Sequence, residues 1–304
     1  MTESAIIGLG TAALGRPAYI TTNHGGDLAG HTSVEQMLEN AIEVFDAAYV
    51  NGVRYYDAAR SYGKAEEFLG EWIRRNNPED IYVASKWGYA YVGEWKIDVA
   101  VHEKKDHSVE AYRRQVAETK GFLGSHLNLY QIHSVTPESP ALDDQELLAE
   151  LLELKQSGVA IGMSTSGPEQ AAVLERVGDF EVDGVRLFDA VQVTWNLLEQ
   201  STTDALTQLH DSGIRVIIKE ALANGRLGPA GDRALTSERS SDIEALSIAL
   251  AQPFVDVVLS GAVNTAQVLS NLHATPVTEG FDSLSDYAID REQFWTERSN
   301  RPWT

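Results

Sequence analysis

Short apolar or β-branched runs recur along the chain, each followed by a stretch whose apolar residues fall at helical spacing. Eight runs have strand character: residues 5–10, 53–57, 81–85, 127–133, 160–164, 190–195, 215–219 and 255–260. Ser33, Ser108, Asp143 and Ser201 stand just before helical patterns as N-caps, and Gly52, Gly158 and Gly213 stand where those helices would end in a left-handed residue. Segments around 64–75, 168–178, 237–251 and 264–273 complete eight helices. Runs such as VVLS and RVIIK are apolar on both faces, as parallel strands beneath helices require.

Eight β/α units predict an α/β fold of (β/α)₈ TIM-barrel type, with a doubly wound open sheet as the runner-up because alternation alone does not separate the two. No linker or low-complexity tract divides the chain, so residues 1–304 read as a single barrel domain with its C-terminal tail. The long irregular segments follow strands 1, 3, 4 and 7, which on a barrel places them on one face, around a pocket.

Composition narrows the function. With 24 Lys and Arg against 45 Asp and Glu, the net charge of −21 disfavours nucleic acid and anionic membranes as partners and leaves room for a local pocket that takes a small molecule. The absence of cysteine excludes disulfides, thiolate metal sites and thiol catalysis. Without an apolar run approaching 18 residues or a basic leader at the N-terminus, the expectation is a cytoplasmic protein.

Four ionisable side chains fall at three consecutive strand ends: Asp57, Tyr62 five residues on, Lys86 directly after its strand, and His133. A lysine there places an ammonium at the barrel mouth, where Asp57 on the neighbouring strand neutralises it. An ammonium beside a phenol favours phenolate, which would draw the Tyr62 pKa down toward neutrality and make it a proton donor and acceptor. Taken singly, each residue reads more plainly as a helix cap, a packed aromatic or a structural ion pair; together they indicate a site.

The segments YYDAARSYGKAEEFLGEWI, VASKWG and LYQIHS, in this order, resemble the signatures of the aldo-keto reductase superfamily. The resemblance continues through GMSTS, QVTWN, EALANGRL and SGAVNTAQVLSN and spans nearly the whole chain. It implies a cytoplasmic (β/α)₈ oxidoreductase that binds NADPH or NADH without a Rossmann domain and interconverts a small-molecule carbonyl and its alcohol. In that pattern Tyr62 is the general acid, Lys86 lowers its pKa, Asp57 pairs with Lys86, and His133 orients the carbonyl. It likewise implies that Ser164 and Gln192 hold the nicotinamide carboxamide, that Leu222, Gly225, Arg226 and Leu227 belong to the loop over the pyrophosphate, and that Gly261, Asn264, Gln267 and Asn271 grip the adenosine and its phosphates.

The chain departs from the pattern in three places. Thr165 stands where an asparagine is frequent. Lys219 takes the place of an aromatic that stacks on the nicotinamide, so it is expected on a phosphate, on substrate, or paired with Glu220. Asn264 stands where relatives that recognise a 2′-phosphate carry a basic residue, which permits NAD; Arg226 and Arg233 are the other cations within reach of a phosphate.

GLGTAALG lacks the third glycine and acidic partner of a dinucleotide fingerprint, and HEKKDH lacks the spacing of a histidine metal site. Trp87, Tyr89, Tyr91 and Trp95 crowd the strand-3 loop near Asn23, His24 and His102, which favours a sugar-like substrate or a loop packed onto the barrel. Two further readings stand beside the reductase. One is a Schiff-base lyase using Lys86 or Lys219; the other is a cofactor-binding sensor subunit.

Overall fold

A computed structural model describes residues 4–21, 24–28, 30–229, 231–232, 235, 240–277 and 284–304. Eight parallel strands close into a barrel: β1 (Ile6–Gly10), β2 (Tyr55–Asp57), β3 (Tyr82–Trp87), β4 (Leu127–Val135), β5 (Ala160–Thr165), β6 (Ala190–Thr194), β7 (Arg215–Lys219) and β8 (Val257–Ser260). Each strand pairs with its neighbours in sequence, and β1 closes on β8 through Ile6 opposite Val257. The open-sheet alternative is thereby set aside.

A helix follows each strand: α1 (Val34–Val50), α2 (Ala65–Asn76), α3 (Val109–Leu123), α4 (Gln145–Gln156), α5 (Gln170–Leu174), α6 (Thr203–Asp211), α7 (Ser241–Leu250) and α8 (Thr265–Asn271). A further helix, α9 (Arg291–Ser299), runs in the C-terminal segment. None of the described helices is long and apolar enough to cross a membrane.

Local chemistry explains most of the boundaries. Ser33 and Gln36 form a reciprocal capping box that starts α1, and Ser108 caps α3 by accepting from the Ala111 N–H. Two expected caps move by one residue. Asp144 rather than Asp143 caps α4, since its carboxylate accepts from the N–H groups of Glu146 and Leu147, and Thr202 rather than Ser201 precedes α6. Residues 237–239 of the seventh predicted helix lie outside the described residues.

The two faces of each strand divide the core. Outward residues meet the helices: Trp72 of α2 is fully buried, packs on Tyr56 of β2 at 5.2 Å and donates its indole N–H to Asp46. Inward residues fill the barrel in layers. Tyr55, Ala84, Leu129, Ala190, Ile217 and Val257 make an apolar floor. Two residues further along most of these strands the same inward face becomes polar, with Asp57, Lys86, Gln131, Gln192 and Lys219. Gly162 makes room in that layer: a Cβ there would lie 3.1 Å from the Gln131 side chain.

Truncation of Trp72 removes a large ring from a site that cannot collapse. Trp72→Ala is expected to lower the unfolding free energy by about 3–5 kcal/mol, read by urea denaturation; a change below about 1 kcal/mol would contradict this packing.

Candidate active site

Lys86 lies within β3, not after it, and points into the barrel, fully buried. Its ammonium has three donors and three partners. It donates to Asp57 Oδ2 at 2.5 Å, to the Ala58 carbonyl at 3.0 Å and to Tyr62 Oη at 3.2 Å. Asp57 Oδ1 accepts from the side-chain amides of Gln192 at 2.8 Å and Gln131 at 3.3 Å. One carboxylate therefore joins β2, β3, β4 and β6 across the barrel.

The turn that carries Tyr62 is held by close backbone approach. A Cβ on Gly15 would fall 2.1 Å from the Tyr62 carbonyl oxygen, and Gly63 adopts φ +60° with its own Cβ position 2.3 Å from Gly15 O. Lys64 N–H donates to Gly15 O at 2.7 Å. Only glycine at both positions lets the loop after β1 press against this turn.

His133 ends the inward row of β4, where the register shifts and Ser134 turns to φ +50°. Its ring lies edge-on to Tyr62 at 5.5 Å, its Nδ1 is 3.3 Å from Ser61 Oγ, and its carbonyl accepts from His107 Nε2 at 2.8 Å. Burial first, then the charges of Lys86 and Lys219, hold its pKa well below the usual histidine value, so the ring is neutral at pH 7.

The phenol behaves contrary to expectation. Burial, reinforced by Asp57 and Glu103 against the opposing charge of Arg16, holds the Tyr62 pKa well above 10. Tyr62 thus carries its proton at neutrality.

These groups line or underlie a cavity of about 620 Å³ that runs from Tyr62 and His133 across the C-terminal ends of β6–β8 to α7 and α8. Of the expected residues, Asp57, Tyr62, His133, Gln192, Lys219, Leu222, Gly225, Gly261, Gln267 and Asn271 line it. Lys86 lies beneath it. Ser164, Asn264, Arg226 and Leu227 do not line it. Ser164 Oγ accepts from Ser134 N–H at 2.8 Å, Asn264 caps α8 through the Gln267 N–H, and Arg226 pairs with Glu297 at 2.8 Å and Asp232 at 3.3 Å. Leu227 is fully buried. Arg233 lies outside the described residues.

Lys219 donates to Thr194 Oγ1 at 2.6 Å and lies 3.9 Å from Glu220, which also bonds Arg298 of α9 through both carboxylate oxygens. Burial lowers the Lys219 pKa to about 8 against the opposing pull of Glu220. Burial alone would raise Glu220, but Arg298 and Lys219 outweigh it and hold this carboxyl at about 2.

Sequence reasoning missed Arg16, Tyr19, Glu103 and Trp303, which also line the cavity. Arg16 is buried, pairs with Glu103 at 2.6 Å and lies over the rings of Tyr19, Tyr62 and Trp303 at 4.7–5.3 Å. These residues are remote in sequence and carry no local pattern. The aromatics of the β3 loop, in contrast, pack it down: Trp87 is buried, Trp95 donates its indole N–H to Thr32 O, and Tyr91 Oη accepts from Trp95 N–H. Tyr89 packs on the His133 ring at 5.2 Å, and His102 stacks on Trp303 at 4.2 Å. Asn23 and the His24 side chain lie outside the described residues.

The Aldo/keto reductase family model matches residues 7–282. The chain belongs to the aldo/keto reductase family. This reductase-family chain is 26% identical over 230 residues to aldo-keto reductase YhdN of Bacillus subtilis, covering 74% of this chain and 60% of that one. It is 29% identical over 127 residues to aldo-keto reductase str7 of Strobilurus tenacellus, covering 41% of this chain. The match thus spans about a third of the length of str7, at 34%, and less than two thirds of YhdN. Among solved structures, the glycerol dehydrogenase AKR11B4 of Gluconobacter oxydans shares the fold with a TM-score of 0.69 at 21% identity, covering 92% of this chain and 90% of that one. The holo form of AKR11C1 from Bacillus halodurans does so at 0.66 and 20% identity, covering 96% and 91%.

The Lys86–Asp57 pair yields a stability test. Lys86→Met strands a buried carboxylate and should destabilise the fold by about 3–5 kcal/mol in urea titrations at neutral pH. Adding Asp57→Asn should recover a large part of that loss; if the double variant is as unstable as the sum of the single ones, the two groups are not coupled.

Proposed function

We propose that this chain is a nicotinamide-dependent reductase that interconverts an aldehyde or ketone and its alcohol, with Tyr62 as the proton-transferring group. The observation that carries this reading is the Lys86 ammonium, which bonds Asp57 and Tyr62 Oη at once beneath a cavity that His133 also lines.

Tyr62 is neutral and aimed at the cavity, so it offers a proton to an oxygen that gains negative charge. Lys86, 3.2 Å behind Tyr62 Oη, stabilises the phenolate left when that proton departs. His133, neutral, with Nδ1 beside Ser61 Oγ, can keep its proton on Nε2 and hold the carbonyl oxygen toward Tyr62. Arg16 and Glu103 place polar groups beside the Tyr19 and Trp303 rings, which suits a hydroxylated, sugar-like carbonyl compound.

The residues present fit a nicotinamide dinucleotide. Gln192 Oε1 is buried, has no hydrogen-bond partner among the described residues and belongs to a cavity-lining side chain, which suits an amide N–H such as the carboxamide bears. Gly261 faces open space. Gln192, Leu222, Gly225, Gly261, Gln267 and Asn271 would hold the group; Asn264, Ser164, Arg226 and Leu227 would support them from behind. When bound, the reduced nicotinamide supplies the hydride.

Of the two lysines open to Schiff-base chemistry, Lys86 has all three protons engaged, whereas Lys219 lines the cavity with a pKa near 8. Borohydride trapping with substrate that leaves Lys219 unmodified supports the reductase reading; a covalent adduct on it favours the lyase.

Tyr62→Phe is expected to lower turnover by about 10²–10⁴-fold while reduced cofactor still binds. Near-normal rates in that variant would remove Tyr62 from proton transfer. Because the Tyr62 pKa is raised, its protonated form persists as pH rises, so the reduction rate should stay level from about pH 6 to 9 while alcohol oxidation, which needs the phenolate, climbs. Steady-state rates in both directions check this, and a reduction rate falling through pH 7 would contradict it.

A further inference from the structure

Asp242, in the first turn of α7, is buried to 5% exposure yet lines the same cavity as Tyr62, at the end where α7 meets α8. Its donors are neutral. Ser240 Oγ bonds Oδ1, while Ser270 Oγ and Asn271 Nδ2 bond Oδ2 at 2.9 and 3.1 Å. Asn271 is turned toward it because its own oxygen is taken by Ser260 Oγ at 2.7 Å. An ionised carboxylate has about four lone-pair sites, so this one retains room for another donor.

The cations of the described cavity lining lie elsewhere. Arg16 is over the Tyr62 ring, Lys219 bonds Thr194, and Arg298 bonds Glu220. Asp242 is the lining carboxylate at the α7–α8 end of the cavity. A dinucleotide with its reacting ring at Tyr62 must place its other half further along the cavity, where Asp242 is a fixed negative group. Such a carboxylate accepts hydrogen bonds from ribose hydroxyls and repels a phosphate ester on the same sugar.

We propose that Asp242 is the group that selects the cofactor, taking the free 2′-hydroxyl of NAD(H) and rejecting the 2′-phosphate of NADP(H). This rests on the nicotinamide-dependent reading above. Ser240, Ser270 and Asn271 position the carboxylate, and Asn264, engaged as the α8 cap, adds no charge to offset it.

The test titrates the full chain with NADH and with NADPH, following quenching of tryptophan fluorescence, to which the cavity-lining Trp303 contributes. NADH is expected to bind at least about tenfold more tightly than NADPH, the scale of one like-charge contact. Asp242→Asn keeps shape and removes charge; it should shrink that ratio several-fold. A purely structural carboxylate would weaken both cofactors alike and leave the ratio untouched, which overturns the proposal. So does wild-type protein that prefers NADPH, a result independent of whether the variant folds. Binding of either cofactor leaves the nicotinamide reading intact in those cases, whereas no binding of both overturns that reading and this inference together.

Discussion

A charged ammonium inside a closed barrel is the constraint from which the rest of the site follows. Lys86 has no exposure, and an unpaired cation there would carry a desolvation penalty of several kcal/mol. Asp57 removes that penalty, and its second oxygen draws in Gln131 and Gln192. The third proton of the ammonium then finds Tyr62, which is where stability and chemistry meet. Burial and the neighbouring carboxylates keep the phenol protonated in the resting site. In the proposed reaction the influence of Lys86 would grow as the phenol gave up its proton, since the new charge would face the ammonium directly.

The same economy of space governs the mouth of the cavity. A chain with a net charge of −21 collects Arg16, Lys86, Lys219 and Arg298 in and beneath one cavity; Arg16, Lys86 and Arg298 each have an acidic partner on another element, and Lys219 has its chain neighbour Glu220. Three non-glycine residues lining this cavity, Ser134, Glu220 and Asn224, have left-handed backbones, the first two at the ends of β4 and β7. Such conformations persist where the surroundings over-determine them. Glu220 is held by Arg298, and Ser134 by the Ser164 hydroxyl. Ser164, expected on the cofactor, is engaged here in holding the Ser134 turn.

Much of this was legible beforehand because it is periodic or local. Strand runs, apolar on both faces, specify parallel strands under helices, and the inward period of two carries Asp57, Lys86 and His133 to one end of the barrel. Ser33, Ser108 and the glycines after the helices announce their boundaries through bonds spanning at most a few residues. Asp143 and Ser201 misled by one position because adjacent residues offered equivalent caps, Asp144 and Thr202, and only the backbone path distinguishes them.

The sequence by itself determined the β/α alternation, the family resemblance and the four side chains at the strand ends, since each depends on spacing along one strand or turn, while closure of the sheet into a barrel was read only from the structure. Tertiary structure decided which residues face the cavity and how their protons are held. Arg16, Glu103, Asp242, Arg298 and Trp303 come from segments far apart in the chain, and the rise in the Tyr62 pKa comes from burial and the neighbouring carboxylates Asp57 and Glu103. Both are properties of three-dimensional neighbours, which no local pattern encodes.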